Sequence, residues 1–230
     1  MATAVLSKPK SDMYRPIASP WHTQILVLIQ GSLSFRGWAK ASQPHNMDRI
    51  TMYERTIFFE WLMFALVVAG LWLHRTSVLT VVGERWRSWK RVGRDIGMGV
   101  LFLVGSIMLT SILGGHAHAG SSRTSFLLPH GRNETLVWIA LSITAGFCEE
   151  ALYRGYLQRQ LIALTRNVPA GIVLSAAAFG AAHAYQGLQQ ALQIGTLGLM
   201  GGILAYVCKT VRPGMIAHVL QDVMGGFIQH

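Results

Sequence analysis

Long apolar segments separated by short basic stretches dominate this chain. Nearly uncharged segments predict membrane helices at positions 56–73, 96–113, 134–153, 168–184, 188–208 and 213–229. A helix needs about 20 apolar residues to cross a hydrocarbon core of about 30 Å. The apolar segment 25–35 is shorter than that, so we interpret it as an interfacial or partly embedded helix. The pattern predicts an all-α, polytopic membrane bundle of about six to seven helices.

The composition supports this interpretation. Hydrophobic residues make up 51% of the 230 residues and charged residues only 13%, whereas soluble domains carry about 25% charged residues. We expect residues 21–230 to form one integral membrane domain after a flexible lead of residues 1–20.

Three histidines, His116, His118 and His130, lie in a loop without an accompanying carboxylate or cysteine, so we interpret them as solvated side chains.

The net charge of +10 would suggest a nucleic-acid partner for a soluble protein. Here the Lys and Arg residues collect between apolar segments, at 75–94, 154–166 and 209–212. Basic loops of this kind mark the cytoplasmic side of membrane proteins. We therefore expect a lipid bilayer as partner, the cell membrane as location, and no nucleic-acid binding.

Ionisable side chains interrupt the apolar segments at a few positions. Glu60 is the one charge within 56–73, and Glu149 and Glu150 follow the uncharged run 135–148. Two adjacent carboxylates at the end of an apolar run are costly, and by default such a pair marks a functional site. Arg154 lies four residues after Glu150, a spacing that allows an ion pair on a helix and leaves Glu149 as the freer carboxylate.

Two later apolar segments each place a pair of residues on one helix face. Phe179 precedes His183 by four positions, and His218 precedes Asp222 by four. A glutamate, two histidines and an aspartate that converge on one cavity could activate water and stabilise an oxyanion, which is the chemistry of peptide or ester hydrolysis.

The same residue types leave alternatives open. Glu149, His183 and His218 also form a His₂Glu set that could bind zinc, although the HExxH pattern of zincins is absent. Spacing alone does not separate metal-bound water from glutamate-activated water.

Cys148 and Cys208 form no CxxC motif and are interpreted as buried small side chains, with a Cys148 nucleophile as a minor alternative.

Three sequence motifs carry a resemblance to a known family. CEEALYRGYL, FGAAH and HVLQD occur in this order. They resemble the EExxxR, FxxxH and HxxxN/D motifs of the CAAX protease and bacteriocin-processing family of intramembrane endopeptidases. The resemblance covers residues 134–229 and implies an all-α membrane fold with a catalytic cavity inside the bilayer. Its members process prenylated CAAX proteins or act in peptide export and bacteriocin immunity, and have been described both as metalloproteases and as metal-independent glutamic proteases.

The resemblance also implies roles for individual residues. Glu149 with His183 would activate the attacking water, and His218 with Asp222 would bind the oxyanion. Supporting roles fall to Glu150, Arg154 and Phe179. Metal-free hydrolysis of a protein or peptide substrate at the membrane is expected, with zinc as the alternative cofactor.

One departure from the family pattern concerns Asp222, where CAAX-processing members more often carry Asn. An amide donates a hydrogen bond, but an ionised carboxylate only accepts. Asp222 could therefore orient His218 instead of donating to the oxyanion.

Two other functions use the same residues: a non-catalytic immunity or scaffold protein that binds a peptide partner, and a metal or proton carrier.

Overall fold

The computed structural model describes residues 14–40, 48–114 and 127–228. This part of the chain is helical throughout, with turns between the helices and no strand. The elements are α1 (Pro20–Lys40), α2 (Arg49–Leu73), α3 (Leu79–Val82), α4 (Trp89–Gly114), α5 (Gly131–Glu149), a π-helical segment (Glu150–Leu157), α6 (Gln158–Thr165), α7 (Val168–Ala182), a 3₁₀ turn (Ala184–Gln186), α8 (Leu188–Cys208) and α9 (Arg212–Ile228). The predicted all-α class is confirmed.

Four helical stretches of the described chain are long and apolar enough to cross a bilayer. They are α2, residues Trp89–Ile112 of α4, the continuous helix Gly131–Thr165 and α8. The predicted segments 168–184 and 213–229 correspond to α7 and α9, which have 15 and 17 residues and are shorter than a full span. Many large apolar side chains on the spanning helices are exposed, as expected for surfaces that face lipid.

The first helix is longer than the sequence suggested. The apolar segment 25–35 predicted a short helix, but α1 has 21 residues. Polar residues at its start made the apolar segment look short, and the structure gives them partners inside the protein. His22 lies with Nδ1 2.8 Å from the Tyr156 hydroxyl and Nε2 2.9 Å from the Leu66 carbonyl oxygen. Because the carbonyl can only accept, Nε2 carries the proton and Nδ1 accepts from Tyr156.

Gln160 on α6 anchors the start of α1. Its Oε1 accepts from the backbone N–H of Ile17 at 2.7 Å and of Ala18 at 3.3 Å. Its Nε2 donates to the Ala18 carbonyl at 3.0 Å and to the Thr23 hydroxyl at 2.7 Å. Ile17 and Ala18 fall in the lead predicted to be flexible, but this side chain fixes their backbone and Ala18 is fully buried. Residues 1–13 of that lead lie outside the described residues.

Glycines bring the carboxyl-terminal helices close together. A Cβ on Gly180 of α7 would lie 2.7 Å from the Ala191 carbonyl oxygen of α8. On α8, Gly198 faces Phe179 and Gly202 faces Gln158 in the same way. The GxxxG spacing of Gly198 and Gly202 therefore lies on a packing face. This contact fixes Phe179, and with it the end of α7, next to the π-helical segment.

A second close approach joins α5 to α9. A Cβ on Gly146 would overlap the side chain of Val219 and lie 3.0 Å from its backbone nitrogen. Gly146 precedes the two glutamates by one helical turn, and Val219 follows His218 directly. The packing of these two helices therefore carries His218 to the carboxylates.

We expect Gln160→Leu to destabilise the protein by about 1–3 kcal/mol for each buried polar group left without a partner. The Ala18 carbonyl and N–H would lose their bonds while they remain buried, and the partly buried Ile17 N–H would lose its bond as well. Thermal unfolding in detergent, read at equal protein concentration, measures the loss. The control is Gln189→Leu at an exposed position of α8, and equal stability of the two variants would contradict the anchoring role.

Candidate active site

The two adjacent glutamates lie where the helix changes its winding. Glu149 is the last residue of α5, and Glu150 is the first residue of the π-helical segment. Single turns of π-helix inside α-helices frequently mark functional sites. All eight residues of this segment are buried. The change of winding therefore occurs in the protein interior.

Glu150 and Arg154 form the predicted ion pair. Arg154 Nη1 lies 2.9 Å from Glu150 Oε1, and the two side chains are 4% and 5% exposed. The guanidinium carbon lies 4.1 Å from the centroid of the Phe179 ring, which adds a cation–π contact. Two glycines make room for the pair: Gly201 lies against the guanidinium, and a Cβ on Gly214 would lie 2.6 Å from Glu150 Oε2.

His183 directly follows α7 and is oriented by the backbone of the preceding turn. Its Nδ1 lies 2.9 Å from the Phe179 carbonyl oxygen. The carbonyl accepts only, so Nδ1 carries a proton, and in the neutral imidazole Nε2 then presents its lone pair. Nε2 lies 3.9 Å from Glu149 Oε1. The Phe179 ring packs edge-on against the imidazole, with centroids 4.9 Å apart, and holds this orientation.

His218 on α9 lies among three carboxylates. Its Nδ1 is 3.4 Å from Glu150 Oε1. Its Nε2 is 3.7 Å from Glu149 Oε2 and 3.6 Å from Asp222 Oδ2. The Asp222 side chain is 34% exposed, more than any of its neighbours in the group. Asp222 is therefore the most exposed member of the group, and Glu150 and Arg154 are the most deeply buried.

The structure brings all seven residues singled out in the sequence into one group, from four helical elements. Their catalytic and supporting roles stay predictions, since geometry alone does not test them. Cys148 and Cys208 are free, and Cys148 is only 1% exposed, which leaves its sulfur poorly placed to attack a substrate. His130 is exposed, and His116 and His118 lie outside the described residues.

No three His, Cys, Asp or Glu side chains of the described chain are arranged to hold a metal ion. The His₂Glu set of Glu149, His183 and His218 exists as a group of neighbours, with nitrogen–oxygen distances of 3.9 and 3.7 Å.

Sequence reasoning missed two residues that lie beside the group. Glu60 of α2 lies near Glu149, His218 and Asp222, and its charge interacts with theirs. An intramembrane carboxylate is a signal that could have identified it. Tyr185 stacks on His183, with ring centroids 6.2 Å apart. Burial raises the pKa of Tyr185 to about 12, so its hydroxyl keeps its proton near neutral pH. No sequence motif singled out this tyrosine.

Comparison with known proteins agrees with the resemblance carried by the three motifs. Residues 131–224 match the family model described as Type II CAAX prenyl endopeptidase Rce1-like. The matched part begins at α5 and contains both glutamates, both histidines and Asp222. The match covers less than half of the chain, and over these residues it confirms the predicted resemblance to the CAAX protease family. No curated protein and no solved structure matches the chain.

We expect Arg154→Met to destabilise the protein by about 3–5 kcal/mol, because it leaves the buried Glu150 carboxylate without its partner. Unfolding in detergent measures the change, with Arg87→Met at an exposed position as the matched control. The double variant Glu150→Gln, Arg154→Met removes both charges and should recover part of the loss. A double variant less stable than Arg154→Met alone would refute this account of the pair.

Proposed function

We propose that this protein is an intramembrane endopeptidase that hydrolyses peptide bonds with water activated by Glu149 and His183. The observation that carries the proposal is the 3.9 Å separation of Glu149 Oε1 and His183 Nε2. The Phe179 carbonyl fixes the tautomer of His183, so a carboxylate oxygen and an imidazole lone pair face each other. A water molecule beside this gap can bond to both acceptors, which leaves one of its own lone pairs for attack.

In the proposed reaction the water oxygen bonds to the carbonyl carbon of the substrate. Glu149 takes the proton that the water loses, and the carbonyl electrons move to the oxygen. His218 Nε2 donates a hydrogen bond to this oxyanion. The C–N bond then breaks, and the proton held by Glu149 passes to the leaving amine. The products are one carboxylic acid and one amine, and Glu149 returns to its starting state.

Glu150 and Asp222 orient His218 in this proposal. Glu150 Oε1 faces Nδ1 at 3.4 Å and Asp222 Oδ2 faces Nε2 at 3.6 Å. An ionised Asp222 cannot donate to the oxyanion as an asparagine amide would. We therefore assign the donation to His218 and a positioning role to Asp222.

An apolar cavity of about 450 Å³ supports a membrane-associated substrate. It lies between α1, the π-helical segment and α7, and Leu152, Tyr153, Phe35 and Trp38 are among its lining residues. The Tyr153 ring contacts Phe179, with centroids 5.0 Å apart, so the cavity borders the residues that position His183. We infer that it receives the apolar part of a substrate, such as the lipid of a prenylated CAAX-type protein.

A surface with basic residues and an exposed tryptophan supports the proposed location in the cell membrane. Exposed basic residues of the turn after α3 and the start of α4 (Arg85, Arg87, Lys90, Arg91 and Arg94) lie beside exposed Trp89. A tryptophan among basic residues is typical of a membrane interface on the cytoplasmic side. The protein partners in this proposal are substrates in or at that membrane.

Glu149→Gln and His183→Ala should each lower cleavage by about 10²–10⁴-fold, the usual contribution of a general base. Mass spectrometry of protein termini in membrane fractions compares cells that make wild type with cells that make each variant at equal abundance. Glu84→Gln, at an exposed position, is the matched control. Termini present only with wild type and the control would name the substrate as well. If wild type and Glu149→Gln give identical termini, the non-catalytic scaffold function replaces this proposal.

We expect cleavage by the purified protein to survive exhaustive treatment with a chelator, because Glu149 and His183 activate the water without a metal in this proposal. The substrate identified from its new terminus serves in the assay, and the Glu149→Gln protein gives the background. Activity that falls to this background and returns with added zinc would instead assign Glu149, His183 and His218 to a metal site.

A further inference from the structure

Two turns that lie at the ends of spanning helices are joined by direct contacts. α4 begins after the turn 83–88, and α8 ends before the turn 209–211. Arg212, the first residue of α9, links the two turns. Its Nη2 donates to the Gly83 carbonyl oxygen at 3.1 Å, and its guanidinium carbon lies 4.6 Å from the centroid of the Trp86 ring. The two turns therefore lie side by side at one surface of the membrane.

The buried acid beside these turns is already paired. Asp95 is 1% exposed. Its Oδ2 accepts from the Trp86 indole N–H at 2.8 Å, and its Oδ1 accepts from Arg94 Nε and Nη2 at 3.0 and 2.7 Å. Asp95 therefore neutralises Arg94 and fixes the indole that Arg212 covers. Glu84 is exposed and forms no ion pair with any residue that the structure describes.

Five further basic side chains of these two turns and the start of α4 are exposed. Within the described part of the chain none of them forms an ion pair, and together we call them the basic surface: Arg85, Arg87, Lys90, Arg91 and Lys209. Like charges gathered on one surface repel one another. Lys90 and Arg91 also lie in the first turn of α4, where the helix dipole disfavours cations. The arrangement costs stability in the protein alone, and anions outside the protein offset that cost.

The position of the basic surface indicates which anions it meets. Trp89 begins a helix that is long and apolar enough to cross a bilayer, and its side chain is 88% exposed. Tryptophan at the end of a membrane helix lies at the level of the lipid headgroups. The neighbouring cations therefore lie at the depth of the lipid phosphates. A zwitterionic phospholipid has no net charge there, whereas an anionic phospholipid is attracted to Lys and Arg.

We propose that the basic surface binds the headgroups of anionic phospholipids in preference to zwitterionic ones. Each Lys or Arg close to an anionic membrane surface strengthens the association by about fivefold. The bound headgroups cover the exposed cations of both turns, while Arg94 and Arg212 keep their partners within the protein. This inference goes beyond the proposed function and is independent of protease activity.

Lipid retention by the purified protein tests the proposal. The full-length protein is reconstituted in bilayers of equal phosphatidylglycerol and phosphatidylcholine with the same acyl chains and is extracted again in mild detergent. Mass spectrometry then counts the lipids that remain bound. We expect wild type to retain phosphatidylglycerol preferentially. The double variant Arg87→Gln, Arg91→Gln should lower this preference by about 5–25-fold, the effect of one to two cations. The control Arg36→Gln, Arg132→Gln removes the same charge at exposed positions elsewhere and should keep it.

The remaining outcomes test whether charge and a lipid headgroup are responsible. Arg87→Lys, Arg91→Lys keeps both charges and should keep the preference, which separates charge from folding of the turn. Raising the salt concentration from about 0.1 M to about 1 M should weaken the preference, because exposed charges are screened. An equal preference in Arg87→Gln, Arg91→Gln and wild type would overturn the proposal. Displacement of the lipid by inorganic phosphate in molar excess would also overturn it and would assign the surface to free phosphate.

Discussion

The buried ion pair between Glu150 and Arg154 is the interaction on which the site depends. Both side chains are almost completely removed from solvent, so each charge requires the other. The pair also fixes what surrounds it: the guanidinium holds the Phe179 ring, and Glu150 holds the Nδ1 side of His218. The pair also affects His183 through Phe179, because the ring and the carbonyl of Phe179 fix the orientation of the His183 imidazole. One electrostatic contact thus orients both histidines.

Small residues allow charged side chains to meet inside an apolar bundle. Gly201 and Gly214 leave room for the ion pair, and Gly146 lets α9 approach α5. A side chain at Gly146 would force α5 and α9 apart, and a side chain at Gly214 would displace the Glu150 carboxylate, so both would change the distances within the group. The glycines of the last hundred residues are therefore part of the site geometry, although they have no chemistry of their own.

The sequence predicted the helical class and the residues of the central group, because charged side chains are conspicuous in apolar segments. Glu149, His183 and His218 needed only motif spacing to be found. Glu60 was visible as a charge but not as a neighbour of Glu149, since the proximity of residues 89 positions apart depends on how α2 packs on α5. The length of α1 was underestimated for a similar reason: His22 and Thr23 look incompatible with an apolar helix until Tyr156 and Gln160 are placed beside them.

The anchoring of α1 is uneven along its length. Side-chain hydrogen bonds join residues 17–23 to Gln160, Tyr156 and Leu66. The half of α1 that borders the cavity, from Leu26 to Trp38, contacts it mainly through apolar side chains. Each apolar contact contributes only a small attraction, and lipid tails can replace these contacts at little cost in free energy. The start of α1 is thus held by hydrogen bonds, and its second half is held by apolar contacts that lipid can replace. Under the proposed function, the end of α1 that apolar contacts hold is the end beside the cavity, where the apolar part of a membrane-bound substrate would bind.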